Sequence, residues 1–354
     1  MVRNVKALSI VVVIVVIIAA ISVSQHLMKD ADGKVDSGDA FTFTDASGRT
    51  HTISTPISNV SVVHKYIPIF MKILGLEDQV AGLDSLYGMT FSKYFKNSFS
   101  IGEYSEPNGG VMLNHGSKVI LTPITMGLTN ADSLTQMGIT VIRLDLTDPY
   151  EIEDNLKILV KLFGGTDDLW ERYHRYMGLF NECEEFVGQF DFNDTKDKNF
   201  VLHMTSSGFY QTHSSAAVRV IESISGKCYT RTIDPNVKDT VYFYQDPSVL
   251  IDFDGKYTLD YLFLYSLDSP EANFNKFLTS GKDIDYRTLS CIKNRQTYVI
   301  STDCVNGAIS CVSKILYADA FGADVGNKAA EMVQKFNDVF GLHYSTENLI
   351  VQVA

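Results

Sequence analysis

Short apolar runs in this sequence repeatedly break into small groups of polar and aromatic residues. Residues 60–63 lead into His64, Lys65 and Tyr66, and residues 80–83 into Asp84 and Ser85, with Tyr87 just beyond. The run VILTP leads to Thr125 and Met126, FVLHM to Ser206, Phe209 and Tyr210, YLFL to Tyr265 and Ser266, and TYVIS to Thr302 and Asp303. Phenols, hydroxyls, an imidazole, an ammonium and carboxylates can hold a large, partly aromatic ligand by stacking, charge and hydrogen bonds. The same set suits a small ion less well. Taken singly, each of these is also an ordinary loop residue, so the reading rests on their common placement.

Nothing in the spacing points to catalysis. There is no G-x-S-x-G elbow and no H-E-x-x-H, and SGKCYT lacks both the glycine spacing and the Ser/Thr of a phosphate-binding loop. GGTDDLW is a helix stop followed by a restart. His64, His203 and His213 each lie in or just after an expected strand, so a shared metal or haem site is conceivable. Inside FVLHM, however, His203 is more simply placed in packing. The expectation is a binding protein with no catalytic residue, no cofactor and no metal of its own.

The elements that must position these groups are strands alternating with amphipathic helices. FTFTDASGRTHTIS alternates on both sides of a turn and predicts a β-hairpin. Strand, helix and strand then follow over residues 60–83, with further strands in GSKVILTP and ITVIRLDL. Asp148 and Pro149 predict the cap and first residue of a helix that buries Ile152, Leu156, Leu159, Val160 and Phe163 and stops at Gly164-Gly165. Residues 166–190 differ in kind: Leu169, Tyr173, Tyr176, Phe180, Cys183, Val187 and Phe190 recur in steps of 4, 3, 4, 3, 4, 3. One helix of that length spans about 35 Å. Its aromatic seam and Gly178 and Gly188 argue against a coiled coil and for a helix lying across two lobes. After DFNDTKDK the alternation resumes with strands at FVLHM, YLFLYS and QTYVIST, a helix capped by Ser214 or Ser215, and closing helices near 308–321 and 327–340. DTVYFYQDPSVLIDFDGKYTLD is ambiguous. The pattern is α/β: two Rossmann-like lobes (41–165 and 191–354) with mostly parallel sheets, bridged by one long α-helix. In open α/β sheets ligands bind beyond the carboxyl ends of the strands, where the residues named above lie.

Residues 1–25 carry Arg3 and Lys6 before SIVVVIVVIIAAISV, which reads either as a cleaved signal peptide or as a retained N-terminal membrane anchor. Residues 26–40 read as a polar tether, and the rest of the chain is expected outside the cytoplasm. The formal net charge of −12 disfavours nucleic acid as a partner. The five cysteines have no C-x-x-C pair and an odd count; one or two disulfides are open to them, but small buried hydrophobes are the simpler reading.

The order of parts resembles the solute-binding proteins of ABC importers for iron–siderophore complexes, haem and corrinoids. The resemblance runs over about residues 41–340. It is carried by the opening hairpin, NVSVVHKYIPIFMKILGLEDQVAGLD, KVILTP, MGITVIRLD, LFGGTDDLWERYHRYMGLFNECEEF and SCIKNRQTYVIST. It implies an iron chelate, haem or corrinoid as ligand, permease subunits as partners, and ligand contacts among the strand-end residues above. It also implies a surface acid on each lobe that docks on the permease. In SEPNGGVMLNHGSKVILTP, Gly110 stands at the expected Glu and Ser117-Lys118 replace a Pro-Asp pair, leaving the displaced Glu106; Asp246 is the candidate in the second lobe. A surface receptor or sensor of the same fold, or an extracytoplasmic enzyme, are the competing expectations.

Overall fold

The computed structural model describes residues 40–124, 127–204, 209–233, 242–243, 246, 248–266, 269–281 and 284–353. The apolar N-terminal segment and residues 26–39 of the polar tether lie outside the described residues.

The hairpin pairs Ala40–Thr44 with Thr50–Ser54, and its turn is organised by one buried carboxylate. Asp45 accepts the Ser47 and Arg49 amides at 2.9 and 3.1 Å and faces His51 Nε2 at 2.9 Å. The first lobe follows. Its strands, in the order Phe99–Ser100, Val80–Leu83, Val60–Val62, Val119–Pro123 and Thr140–Leu144, form five parallel strands among the described residues. Both faces of this sheet are covered, which is why its strands read as short apolar runs rather than as alternation; Val60, Ser61 and Val62 are all buried.

In the second lobe Asn199–Met204, Tyr261–Ser266 and Thr297–Ser301 are parallel. Phe209–Gln211 and Ile350–Gln352 flank them antiparallel. These short flanking strands were not expected, and neither was the strand Tyr242–Phe243 or the helix Ser248–Tyr257 that resolve the ambiguous segment.

The bridging helix runs unbroken from Asp167 to Val187. Thr166 caps it by accepting the Leu169 amide, and Asp167 and Asp168 complement the dipole in its first turn. Six of the seven stripe residues are buried; Phe190 lies past the end and packs edge-on against Phe186 at 5.3 Å. Trp170 is buried with them. Tyr176, wholly enclosed, touches both lobes. Its ring lies 5.4 Å from Phe70 of the first lobe and 5.9 Å from Phe336 of the second. Its hydroxyl donates to the carbonyl of Ala308 at 3.0 Å. Lys314 pairs with Glu184, and Lys328 and Lys335 with Glu182, tying the outer side of the helix to the second lobe.

Asp148 behaves differently from expectation. The helix begins at Ile152, not at Pro149, because Asp148 caps the Tyr150 amide at 3.0 Å and turns its other oxygen to Arg219 of the second lobe. Tyr150 lies under that guanidinium at 5.2 Å. All five cysteines are buried and free, and burial pushes the thiols of Cys228 and Cys291 up to about 12.

Tyr176→Phe keeps the ring contacts and leaves the Ala308 carbonyl without its donor. Urea denaturation should show a loss of about 1–2 kcal/mol; an unchanged midpoint would mean that the hydroxyl adds nothing to the seam.

Candidate functional site

The two lobes meet over a cavity of about 280 Å³ that opens beside the strand ends. Lys65, Tyr66, Ile69, Phe91, Lys93 and Tyr94 line it from the first lobe; Asp303, Asn306, Ala308 and the stretch from Leu342 to Tyr344 line it from the second. Cavities of about 370 and 470 Å³ lie elsewhere, one at the end of the bridging helix around Glu184 and Lys314, the other within the first lobe around Asp84 and Ser98. Only the interlobe cavity, among these three, is lined by both sets of strand-end residues.

The first-lobe wall is built on a turn that the backbone does not favour. His64 follows the strand Val60–Val62 with φ 67°, a left-handed conformation that costs a non-glycine residue free energy. Asp84, wholly enclosed at the end of the next strand, accepts the His64 amide at 2.8 Å and holds that turn. The imidazole is 4 % exposed and packs at 4.8 Å on the Tyr66 ring. Burial, with a smaller contribution from Lys65, lowers its pKa to about 4, so it is neutral at physiological pH. His64 and Asp84 therefore support the wall, and Lys65 and Tyr66 form its surface.

The second-lobe wall is a strap and a loop. The strap leaves the strand Thr297–Ser301 through Asp303, and its Gly307 has φ 85° and lies flat on Tyr66, where an added Cβ would stand 2.7 Å from the ring. The Tyr176–Ala308 bond fastens this strap to the bridging helix. The loop at 341–344 is clamped by Asn337, whose side chain bonds the Tyr344 amide at 2.9 Å and its carbonyl at 2.8 Å. Burial pushes the Tyr344 phenol well up, so it stays a neutral donor.

Across the cavity His343 stacks on Tyr94 at 6.0 Å with an interplanar angle of 11°. The ammonium groups of Lys93 and Lys72 lie 4.8 and 5.7 Å from the Tyr94 ring. Lys65 faces Asp303 at 3.6 Å. Aromatic faces and cations on one wall, with a carboxylate and an imidazole on the other, can stack a flat group and hold an anionic one.

Of the residues expected at the site, Lys65, Tyr66 and Asp303 line the cavity. Phe209 is 37 % exposed at the end of its strand, and Leu86, beside Asp84, is 52 % exposed. Tyr210 and Tyr265 are corrections: each is 3 % exposed within the second lobe, where Tyr210 meets the Tyr286 hydroxyl at 3.1 Å and Gln211 donates to the Tyr265 hydroxyl. Their phenols found partners inside the lobe and turned inward. His203 sits between Tyr210 and Phe277, and His213 bonds Thr230 at 3.0 Å, so neither is brought to His64. Thr125, Met126 and Ser206 lie outside the described residues, as does the side chain of Tyr87, whose backbone belongs to the helix Ser85–Phe91. Sequence reading missed Lys93, Tyr94, His343 and Tyr344. The one local signal was Gly341, a left-handed stop that delivers the last two at a helix end.

The fold is that of the two-lobed periplasmic binding proteins. Among solved structures, the chain is similar to an ABC transporter solute-binding protein from Sulfurospirillum deleyianum, with TM-score 0.62 and 16 % identity over 87 % of this chain and 97 % of that one. It is similar to CeuE of Helicobacter pylori with Ni(II) bound, with TM-score 0.63 and 15 % identity over 86 % and 98 %. It is also similar to a periplasmic haem-binding protein from Pseudomonas aeruginosa, with TM-score 0.57 and 12 % identity over 74 % and 92 %. No protein-family model matches the sequence, and no curated protein matches it significantly.

The neutral, buried His64 gives stability a pH dependence. Its folded pKa of about 4 lies below the unfolded value of 6.5, so the unfolded chain takes up a proton that the native protein refuses. The contribution is fully present above pH 6.5 and is lost as pH falls toward 4. Between pH 7 and pH 5 this amounts to about 2 kcal/mol. Between pH 7 and pH 5 the unfolding free energy of the parent should fall by that much more than that of His64→Gln, as read from denaturation curves; equal losses in both proteins would assign the effect to other groups.

Proposed function

We propose that this protein is an extracytoplasmic solute-binding protein that delivers an iron complex (siderophore or haem) or a corrinoid to an ABC importer. The observation that carries the reading is the cleft itself. Two lobes are held mouth to mouth by an uninterrupted helix, with Tyr66, Tyr94 and His343 offering ring faces and Lys65 and Lys93 offering charge. Haem, the ligand named for one structural neighbour, is among the complexes proposed here. Leu86 and Phe209, exposed at the strand ends outside the cavity lining, would offer apolar surface to a ligand larger than the cavity. The reading assigns the protein no catalysis of its own.

Delivery needs a docking surface. Glu106, exposed in the short hairpin of Gly102–Glu103 and Glu106–Pro107, and Asp246, exposed where it caps the Ser248 amide at 2.9 Å, are the proposed permease contacts of the two lobes. Residues 1–25 would attach the protein to the membrane or be removed on export. Among the described residues no helix is long and apolar enough to cross a membrane. One observation favours a second reading, a surface receptor or sensor of the same fold: glycine, not glutamate, stands at position 110.

Calorimetric titration of the purified chain with ferric siderophores, haemin and cobalamin tests the first reading. One class should bind, and Tyr94→Ala should weaken it about tenfold or more by removing the stacking face; a protein that binds none of them is not a chelate carrier. Small-angle scattering should show nearly the same radius of gyration with and without that ligand, because the bridging helix resists hinge closure. A large contraction would remove the stiff-bridge account. Pull-down of the cognate permease that is lost with Glu106→Arg or Asp246→Arg separates the carrier from the receptor.

A further inference from the structure

Lys65 and Asp303 come from opposite lobes and face one another across the cavity, Nζ to Oδ1 at 3.6 Å. Both line the cleft, and both are reachable from water, with side chains 23 % and 48 % exposed. Each is fixed from behind. Lys65 lies in the turn that Asp84 holds through the His64 amide, and its ammonium sits 5.4 Å from the Tyr66 ring. Asp303 opens the strap that Tyr176 fastens to the bridging helix at Ala308. The carboxylate is therefore anchored to one lobe and the ammonium to the other.

The charges lining the cavity are unequal. Lys65 and Lys93 supply two cations, and Asp303 is the one carboxylate among the described lining residues. A pair this exposed contributes little to stability, because water solvates both partners well. An anionic group arriving between aromatic walls excludes that water and makes a stronger, charge-assisted contact with the same ammonium.

We infer that Asp303 is the internal anion of the cleft: it neutralises Lys65 until an anionic group of the ligand displaces it, so that an anionic chelate reaches Lys65 in competition with Asp303 whereas a neutral one leaves the pair intact. This deepens the solute-binding reading and rests on it. Aryl-oxide or carboxylate groups, as in a catecholate complex or the propionates of haem, have the required charge. A neutral hydroxamate complex or cobalamin gains nothing from the exchange.

Zero-length carbodiimide coupling of the purified full chain, followed by peptide mass mapping, tests the empty state. It should join the Lys65 amine to the Asp303 carboxyl, and failure to find that amide overturns the inference without reference to any ligand. Adding trianionic iron(III) tris-catecholate or haemin should suppress the crosslink, whereas a neutral ferric trihydroxamate should leave it. In titrations Asp303→Asn should tighten the anionic probes by about three- to tenfold and Lys65→Gln should weaken them comparably, with no change for the neutral probe. Equal effects on neutral and anionic probes, or a crosslink that persists beside a bound anion, overturn the inference alone. A crosslink that forms while no probe of any charge binds overturns the solute-binding reading and the inference with it.

Discussion

One buried phenol sits where three parts of the chain must agree. Tyr176 lies midway along the bridging helix, with its ring against Phe70 of one lobe and Phe336 of the other and its hydroxyl on the strap that forms part of the second-lobe wall. Packed interiors do not deform gradually, so a side chain enclosed on all sides relates its neighbours rigidly. A helix that buried its stripe in only one lobe would leave the other free to swing. Here the same stripe is continuous with the cores of both. The relative placement of Tyr66 and Gly307 follows from that seam rather than from any direct bond between them.

The cleft inherits this rigidity unevenly. Its first-lobe wall depends on a left-handed His64, a conformation that persists because an enclosed carboxylate holds the amide and burial holds the ring. The imidazole in that position is well placed to pack and poorly placed to carry charge, and its lowered pKa expresses the same burial. The charged groups stand one residue further on, at the water's edge. His64 and Asp84 hold the turn from the enclosed layer, and Lys65 places its charge on the cavity lining.

How much of this was legible beforehand depended on whether the signal was local. The bridging stripe was readable because each of its residues lies three or four from the next and all share one face. The strand Val60–Val62 was readable because a doubly covered strand is mostly apolar, and its one polar side chain, Ser61, is paired with Ser117 at 2.8 Å. The turn chemistry was only half readable. Asp148 looks like a helix cap beside Pro149, and it became instead a cap for a turn and a partner for Arg219, 71 residues away. Tyr210 and Tyr265 stand in the right places along the chain, yet whether a phenol faces a groove or its own lobe depends on a partner such as Tyr286 or Gln211, which no spacing reveals. Tyr94, His343 and Tyr344 enter the cavity through tertiary packing. The strand Ile350–Gln352 that follows the last two is three residues long and antiparallel, too short for a periodic signal.

Among the described residues, Asp148–Arg219 and Lys65–Asp303 cross between the lobes, and they differ in a way that bears on how the cleft can move. Asp148 is 7 % exposed, and burial pushes its carboxyl up even though Arg219 and the Tyr150 amide draw it down. Separating it from Arg219 would leave a largely enclosed carboxylate without its partner, which is costly. Tyr150 adds to that flank by lying between the guanidinium at 5.2 Å and the Lys314 ammonium at 5.5 Å. Lys65 and Asp303 have no such enclosure, and water compensates both when they part. Motion between the lobes is therefore easier at the Lys65 flank than at the Asp148 flank. On that balance an opening between the lobes would begin at the edge where Lys65 and Asp303 stand, on the same lining as Tyr66 and Tyr94.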